Sequence, residues 1–447
     1  MDYRCVTEQD RRQMLESMGL PGDDIERVYE VIPEKLRATA FELPEGRSEY
    51  AVDRECRSLA AANASDIVPF LGGGYYDHFI PSAVDEIASR SEFYTAYTPY
   101  QAEASQGTLQ AIYEFQSCVA GLTSLDVANA SLYDGGTAVY EAVMMAARVT
   151  RNSRVVVDEC VSPIYREMLY CYTANLPVEV VEVPRAGYQT DHDGIKNALD
   201  DDTAAVVVQY PNFFGSLDDF EDVVQACHDK GGLAVAAVYP VAMGLIKSPG
   251  EMGFDIAVGE GQSLGLPLSF GGPYAGFMAT RKKYLRRMPG RLSGATVDRN
   301  GKRAFVMTLQ SREQHIRRDK ATSNICTNQA LCALRNLLTM GLLGDAGLRA
   351  QAQRCLDKAA YAKQTLEKCR GVNINTENPT FNEFVVELPQ DAETALSGLL
   401  SEHIAGGLPL GRFYPGMENM MLVAVTEKRS KEEIDRFAEV LEGVLWS

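Results

Sequence analysis

The sequence predicts an α/β protein: a large domain on a mostly parallel sheet with helices on both faces, a smaller C-terminal α+β domain, and a helical N-terminal arm. Three observations carry this. Between Arg154 and Tyr239, near-continuous apolar runs alternate with helical spacings, as strands buried on both faces do. Ile256 to Thr280 then reads as a short buried strand, a polar loop, a Gly-rich turn and a second strand. After Asn328 the pattern becomes two helices followed by strand, helix, strand, helix. These place the arm at 1–65, the large domain at 66–325 and the small domain at 326–447.

Composition narrows the partners. The 447 residues carry 43 Lys plus Arg against 61 Asp plus Glu, a net charge of −18, which argues against nucleic acid or an anionic membrane. The N-terminus lacks a signal-peptide core, and no apolar run approaches the roughly 20 residues of a membrane span. The ten cysteines show no CxxC pair, and the five histidines do not combine with them at metal-ligand spacing. The expectation is a cytoplasmic chain with free thiols and no metal.

In chain order, Thr7 opens a helix through Met18, Asp24 to Val31 forms a second amphipathic stretch, and Leu43 to Gly46 is irregular. The segments Phe70–Phe79 and Tyr94–Gly107 are crowded with glycines, tyrosines and amides, as binding loops are. A helix from Thr108 follows. The turn Asp134-Gly135-Gly136-Thr137 then leads into an apolar helix, where free N–H groups would suit a phosphate or carboxylate. Strands are read at 154–157, 178–183, 204–209 and 233–239, with helices at 162–174, 192–199 and 217–230. The loop after Val258 should expose Glu260, Gln262 and Ser263 at the rim of the sheet, and Gly271, Gly272 and Gly276 allow positive φ or close approach. Two basic runs, 281–291 and 312–320, suggest a positive patch for an anion. Helices at 328–343 and 348–367 precede strands 384–388 and 421–426 and helices 392–403 and 431–445.

The segments FLGGGYYDHFIP, YTPYQAEASQGTLQ, SLYDGGTA, GEGQSLGLPLSFGGPYAG and HIRRDKATSNICTNQAL closely resemble the glycine cleavage system P-protein, specifically the alpha subunit of its split form. The resemblance covers essentially the whole chain. It implies the large domain of fold type I pyridoxal-phosphate enzymes, and a reaction in which glycine loses CO2 and its aminomethyl group passes to the lipoyl arm of H-protein. There pyridoxal phosphate serves as the electron sink.

Two departures bear on that chemistry. The family carries its cofactor on a lysine of the beta subunit, in a His-Lys-Thr loop; aligned on Pro267 and Gly271-Gly272, Gln262 stands at the lysine position here. Fold type I enzymes also hold the pyridinium nitrogen with an Asp, and Tyr239 stands at that strand end. The resemblance therefore implies a chain with no catalytic residues of its own, with pyridoxal phosphate on the partner beta subunit in an alpha2-beta2 assembly. Residues lent to that site would be Tyr97, Thr98, Tyr100, Gln101, Ser105, Gln106, Arg317, Arg318, Lys320, Thr322 and Asn324. Asp134, Gly135, Gly136 and Thr137 would be a vestigial phosphate turn. The alternatives are a structural or regulatory scaffold subunit, or a self-sufficient decarboxylase using another lysine.

Overall fold

The computed structural model describes residues 5–446 apart from positions 21, 23, 39, 41, 376 and 377. The chain divides into two compact units, Met1–Ser65 and Asp66–Ser447. In the first, helix Glu8–Ser17 starts at a capping box, Thr7 Oγ1 accepting from Asp10 N while the Asp10 carboxylate accepts from Thr7 N. A 3-10 turn, Ile25–Val31, and helix Glu49–Ala61, capped by Ser48, follow. Among the described residues, Leu15 is the one buried apolar side chain of this unit, so it has no core of its own.

The second unit is built on a seven-stranded sheet. Its order is Val127–Ala128, Gly276–Thr280, Ile256–Glu260, Leu233–Val238, Thr203–Tyr210, Arg154–Asp158, Glu179–Val183. Gly276–Thr280 runs antiparallel to both neighbours; the remaining paired strands are parallel. The apolar runs are central strands because both faces are covered: all six residues of Leu233–Val238 are buried. Behind the sheet, a four-stranded antiparallel sheet is covered by helices Ala392–Ser401 and Lys431–Trp446 around Phe70, Phe384 and Phe437. The predicted α/β class with a following α+β layer is the observed architecture. No helix among the described residues is long and apolar enough to cross a membrane.

The expected helices at 328–343 and 348–367 are both present within Ala330–Leu366, separated by a kink where Gly344 leaves helical geometry at φ 60°. One element differs from the sequence reading. The stretch after the first basic run is a hairpin, Leu292–Val297 with Arg303–Thr308, which its polar, Gly-containing sequence concealed. The helix Gln106–Thr123 clasps this hairpin. Gln106 donates to Phe305 O and accepts from Phe305 N, both at 2.8 Å, and Gln116 does the same to Ser293, both at 2.9 Å.

Candidate functional site

Open α/β sheets bind ligands beyond the carboxyl ends of their strands. Leu233–Val238 and Ile256–Glu260 end side by side there, Val238 in register with Gly259. Helix Gly135–Thr150 begins at the same edge because Asp134 caps it, Oδ1 accepting from Thr137 N at 2.7 Å. The Gly135 N–H is also taken: Glu260 Oε2 accepts from it at 2.9 Å. Glu260 Oε1 accepts from Gln262 N at 3.0 Å and Ala275 N at 3.1 Å. Burial pushes the Glu260 carboxyl up to about 7, with the three amide hydrogen bonds opposing the rise. The expected vestigial phosphate turn therefore has its Gly135 and Thr137 donors engaged by the chain's own carboxylates. A Cβ at Gly135 would strike the Tyr165 hydroxyl, and one at Gly136 the Met168 sulfur.

The exposed loop expected after Val258 is instead buried: Glu260, Gln262 and Ser263 are 5%, 1% and 4% exposed. Two neighbours cover it. Asn336 of the long helix donates to Gly261 O at 2.7 Å and Leu264 O at 2.8 Å. Above it lies the 70–79 loop, where Gln262 Oε1 accepts from Tyr76 N at 2.8 Å and Nε2 donates to Tyr76 O at 3.0 Å and Leu266 O at 2.8 Å. Every polar atom of that amide is committed. Tyr239 is buried too, its ring 4.3 Å from that of Tyr76, and burial raises both phenols well above their ordinary range.

Between Tyr76, Tyr165, Gln209, Tyr239 and Glu260 the remaining space is about 20 Å³. That admits about one water, whereas a small-molecule site needs about 300 Å³ or more. Pyridoxal phosphate does not fit this chain: the loop holds no lysine, no room and no free anchoring amide at Gly135 or Thr137.

One cluster at this edge escaped the sequence reading. The ligand-type atoms of His78, Cys355 and Glu427 lie within 4.8 Å of one another, although 349 residues separate His78 from Glu427. Hydrogen bonds hold them. Glu427 binds His78 Nδ1 at 2.6 Å and accepts from Phe79 N at 2.8 Å, Gln351 Nε2 at 3.1 Å and Cys355 Sγ at 3.4 Å. His78 Nε2 meets the Tyr239 hydroxyl. The 2.6 Å separation is closer than the roughly 3.3 Å between two ligand atoms on one tetrahedral zinc. Burial acts to raise the Glu427 pKa, but the hydrogen bond and charge of His78 outweigh it and hold the carboxyl at about 2.

Around the corner lies a cavity of about 260 Å³. Tyr97 and Thr98 line it, with Arg291, Thr327, Leu331 and Cys332. Tyr97 Oη is 2.8 Å from Thr327 Oγ1. Tyr100 accepts from Arg291 Nη2 at 2.9 Å, and the guanidinium sits 5.4 Å from its ring centre. Arg291 also pairs with Glu313 at 3.2 Å. Of the two basic runs, Arg291 and Arg312 turn inward, Arg312 binding the Met288 and Gly290 carbonyls. Arg317, Arg318 and Lys320 are exposed on a turn, and none is in an ion pair among the described residues. The structure thus brings Tyr97 and Thr98 together at one cavity, with Tyr100 joined to its Arg291 wall by a hydrogen bond. Gln101 and Asn324 are exposed, Ser105 and Thr322 half-buried, and Gln106 is engaged on the hairpin. Arg291 is the functional-edge residue that its place in an ordinary basic run hid.

Two of the buried carboxyls, Glu260 and Glu383, give a pH prediction. Burial raises Glu383 to about 7 as well, against hydrogen bonds from Tyr76 and Gly73 N. Each group binds more protons folded than unfolded between about 4.5 and 7, so stability falls as pH rises through that window and levels off above it. Each shift is worth about 3 kcal/mol at most. Glu427 runs oppositely: its contribution is complete above about 4.5 and is lost as pH falls towards 2. Urea midpoints should therefore decline from pH 5 to 7, and Glu383→Gln should flatten the decline; an unchanged slope in that variant refutes the assignment.

The family described as "Glycine cleavage system P-protein" matches residues 1–441. A "Probable glycine dehydrogenase (decarboxylating) subunit 1" from Citrifermentans bemidjiense is 52% identical over 447 residues, covering 100% of both chains. A crystal structure of a glycine decarboxylase (P-protein) of the glycine cleavage system, in inhibitor-bound form, superposes with a TM-score of 0.91 at 42% identity and covers 100% of both chains. A glutamate decarboxylase from Lactobacillus brevis shares the fold alone, with a TM-score of 0.68, 14% identity and coverage of 92% and 95%. The fold is that of the type I pyridoxal-phosphate enzymes, and with relatives matched end to end at half of all positions, this chain belongs to the glycine cleavage system P-protein family.

Proposed function

We propose that this chain is the cofactor-free alpha half of a two-chain glycine dehydrogenase (decarboxylating). Pyridoxal phosphate sits on the partner beta subunit, glycine is the substrate, and lipoylated H-protein receives the aminomethyl group. The family's fold and the subunit-1 relatives support an assembly of unlike chains, read here as alpha2-beta2. The single observation that carries the reading is Gln262: the residue at the lysine position is an amide, with its oxygen and nitrogen committed to Tyr76 and Leu266.

The chain's own contribution is then positional. Tyr97, Thr98 and Tyr100 form a polar rim on a buried arginine, and Arg317, Arg318 and Lys320 offer unpaired cations for a carboxylate or phosphate on the partner's side. The test is glycine-dependent CO2 exchange with lipoylated H-protein and cofactor, for the chain alone and mixed with beta. Silence alone and activity in the mixture is the expected result; activity alone overturns the reading. In the mixture, Tyr100→Phe and Arg318→Ala should each lower turnover about ten-fold, the worth of one lost charged hydrogen bond. Unchanged turnover in both would favour the scaffold role, in which this chain stabilises beta without touching its site.

A further inference from the structure

We infer that the Glu260 carboxyl occupies the seat the fold offers to a ligand's phosphate, so that this chain excludes phosphorylated cofactor by occupancy and not merely by lacking a lysine. The inference deepens the cofactor-free reading and rests on it. A helix N-terminus at the carboxyl edge of a parallel sheet presents backbone N–H groups and a positive dipole end, the usual place for a phosphate in such folds. Here the first of these donors, Gly135 N–H, faces Glu260, which stands at the end of its strand, 5% exposed, its other oxygen held by the Gln262 and Ala275 amides of the neighbouring loop and strand.

The surroundings fit a filled seat and not a vacant one. Asp134 already binds Thr137 N, so an entering phosphate would meet two carboxylates at the same helix end. The Tyr165 hydroxyl and Met168 sulfur crowd Gly135 and Gly136, and burial holds Tyr165 well above the ordinary phenol range, uncharged. Tyr76 and Tyr239, their rings 4.3 Å apart, line the roughly 20 Å³ that remains. The consequence for the assembled enzyme is that each pair of unlike chains holds one cofactor, because the pseudo-site on this chain cannot compete for it.

The test uses the full isolated chain and inorganic phosphate, without partner or turnover, so its failure is independent of whether the two-chain enzyme is active. Asp-Gly dipeptides occur only at 134–135 and 193–194. Paired 13C-Asp and 15N-Gly labelling therefore reports the Gly135 amide against one internal control. In wild type, phosphate should leave the Gly135 resonance unmoved relative to chloride at equal ionic strength. In Glu260→Ser, phosphate should shift it and raise the thermal midpoint, with the Gly194 signal unchanged. A phosphate-dependent Gly135 shift in wild type overturns the inference, as does a folded Glu260→Ser chain that phosphate does not touch. If Glu260→Ser folds only during refolding in phosphate, the inference stands; failure in both phosphate and chloride overturns it.

Discussion

Arg291→Ala is expected to destabilise the chain by about 3–5 kcal/mol, the cost of stranding one partner of a buried ion pair. Arg291 and Glu313 are 5% and 7% exposed, and the pair closes at 3.2 Å. The guanidinium also donates to the Tyr100 hydroxyl, while the Arg291 carbonyl accepts from Ala130 N. Truncation leaves the Glu313 carboxylate buried without its guanidinium partner and removes the donor to the Tyr100 hydroxyl. The double variant Arg291→Ala/Glu313→Ala should recover part of the loss, because no charge is then stranded. Urea unfolding measures both; a single variant within about 1 kcal/mol of wild type, or a double variant as unstable as the single, contradicts the pairing.

The second large effect is at Gln262. Replacement by Leu keeps most of the volume but removes one acceptor and two donated hydrogen bonds, leaving the Tyr76 N–H and the Leu266 carbonyl without partners beside a side chain 1% exposed, while the Tyr76 carbonyl keeps the His78 N–H. Stranded buried groups cost about 1–3 kcal/mol each, so a loss of about 2 kcal/mol or more is expected. Hydrogen exchange at the Tyr76 amide should accelerate with it, since that amide loses its acceptor. Leu at wild-type stability would mean that water satisfies the loop and that Gln262 is replaceable.

Much of the architecture was legible because it is local. Apolar runs such as Ala204–Val208 can only be central strands, and Asp134 before two glycines and a threonine can cap a helix without help from elsewhere. The positions assigned to Gln262 and Tyr239 rest on resemblance to the family; what the structure adds is that both side chains are buried. What escaped was set by distant partners. Glu260 reads as a rim residue until the 70–79 loop and Asn336 cover its strand end. His78 and Glu427 meet across 349 residues, and no spacing rule reaches that far. Gln106 reads as a loop amide available to a partner, yet its helix places it against Phe305. The break between the helices at 328–343 and 348–367, by contrast, was legible: it falls at Gly344, where the backbone leaves helical geometry.

The glutamine clasp on the hairpin has a further consequence. A side-chain amide that donates to and accepts from the same residue makes the two bonds a neighbouring strand would make, so Gln106 and Gln116 act as one-residue strands on opposite margins of the ribbon. An isolated two-stranded ribbon is marginal in water, and its open margins invite pairing with other chains. With Phe305 and Ser293 both satisfied from a single helix, each margin of this ribbon has one position at which no further strand can pair.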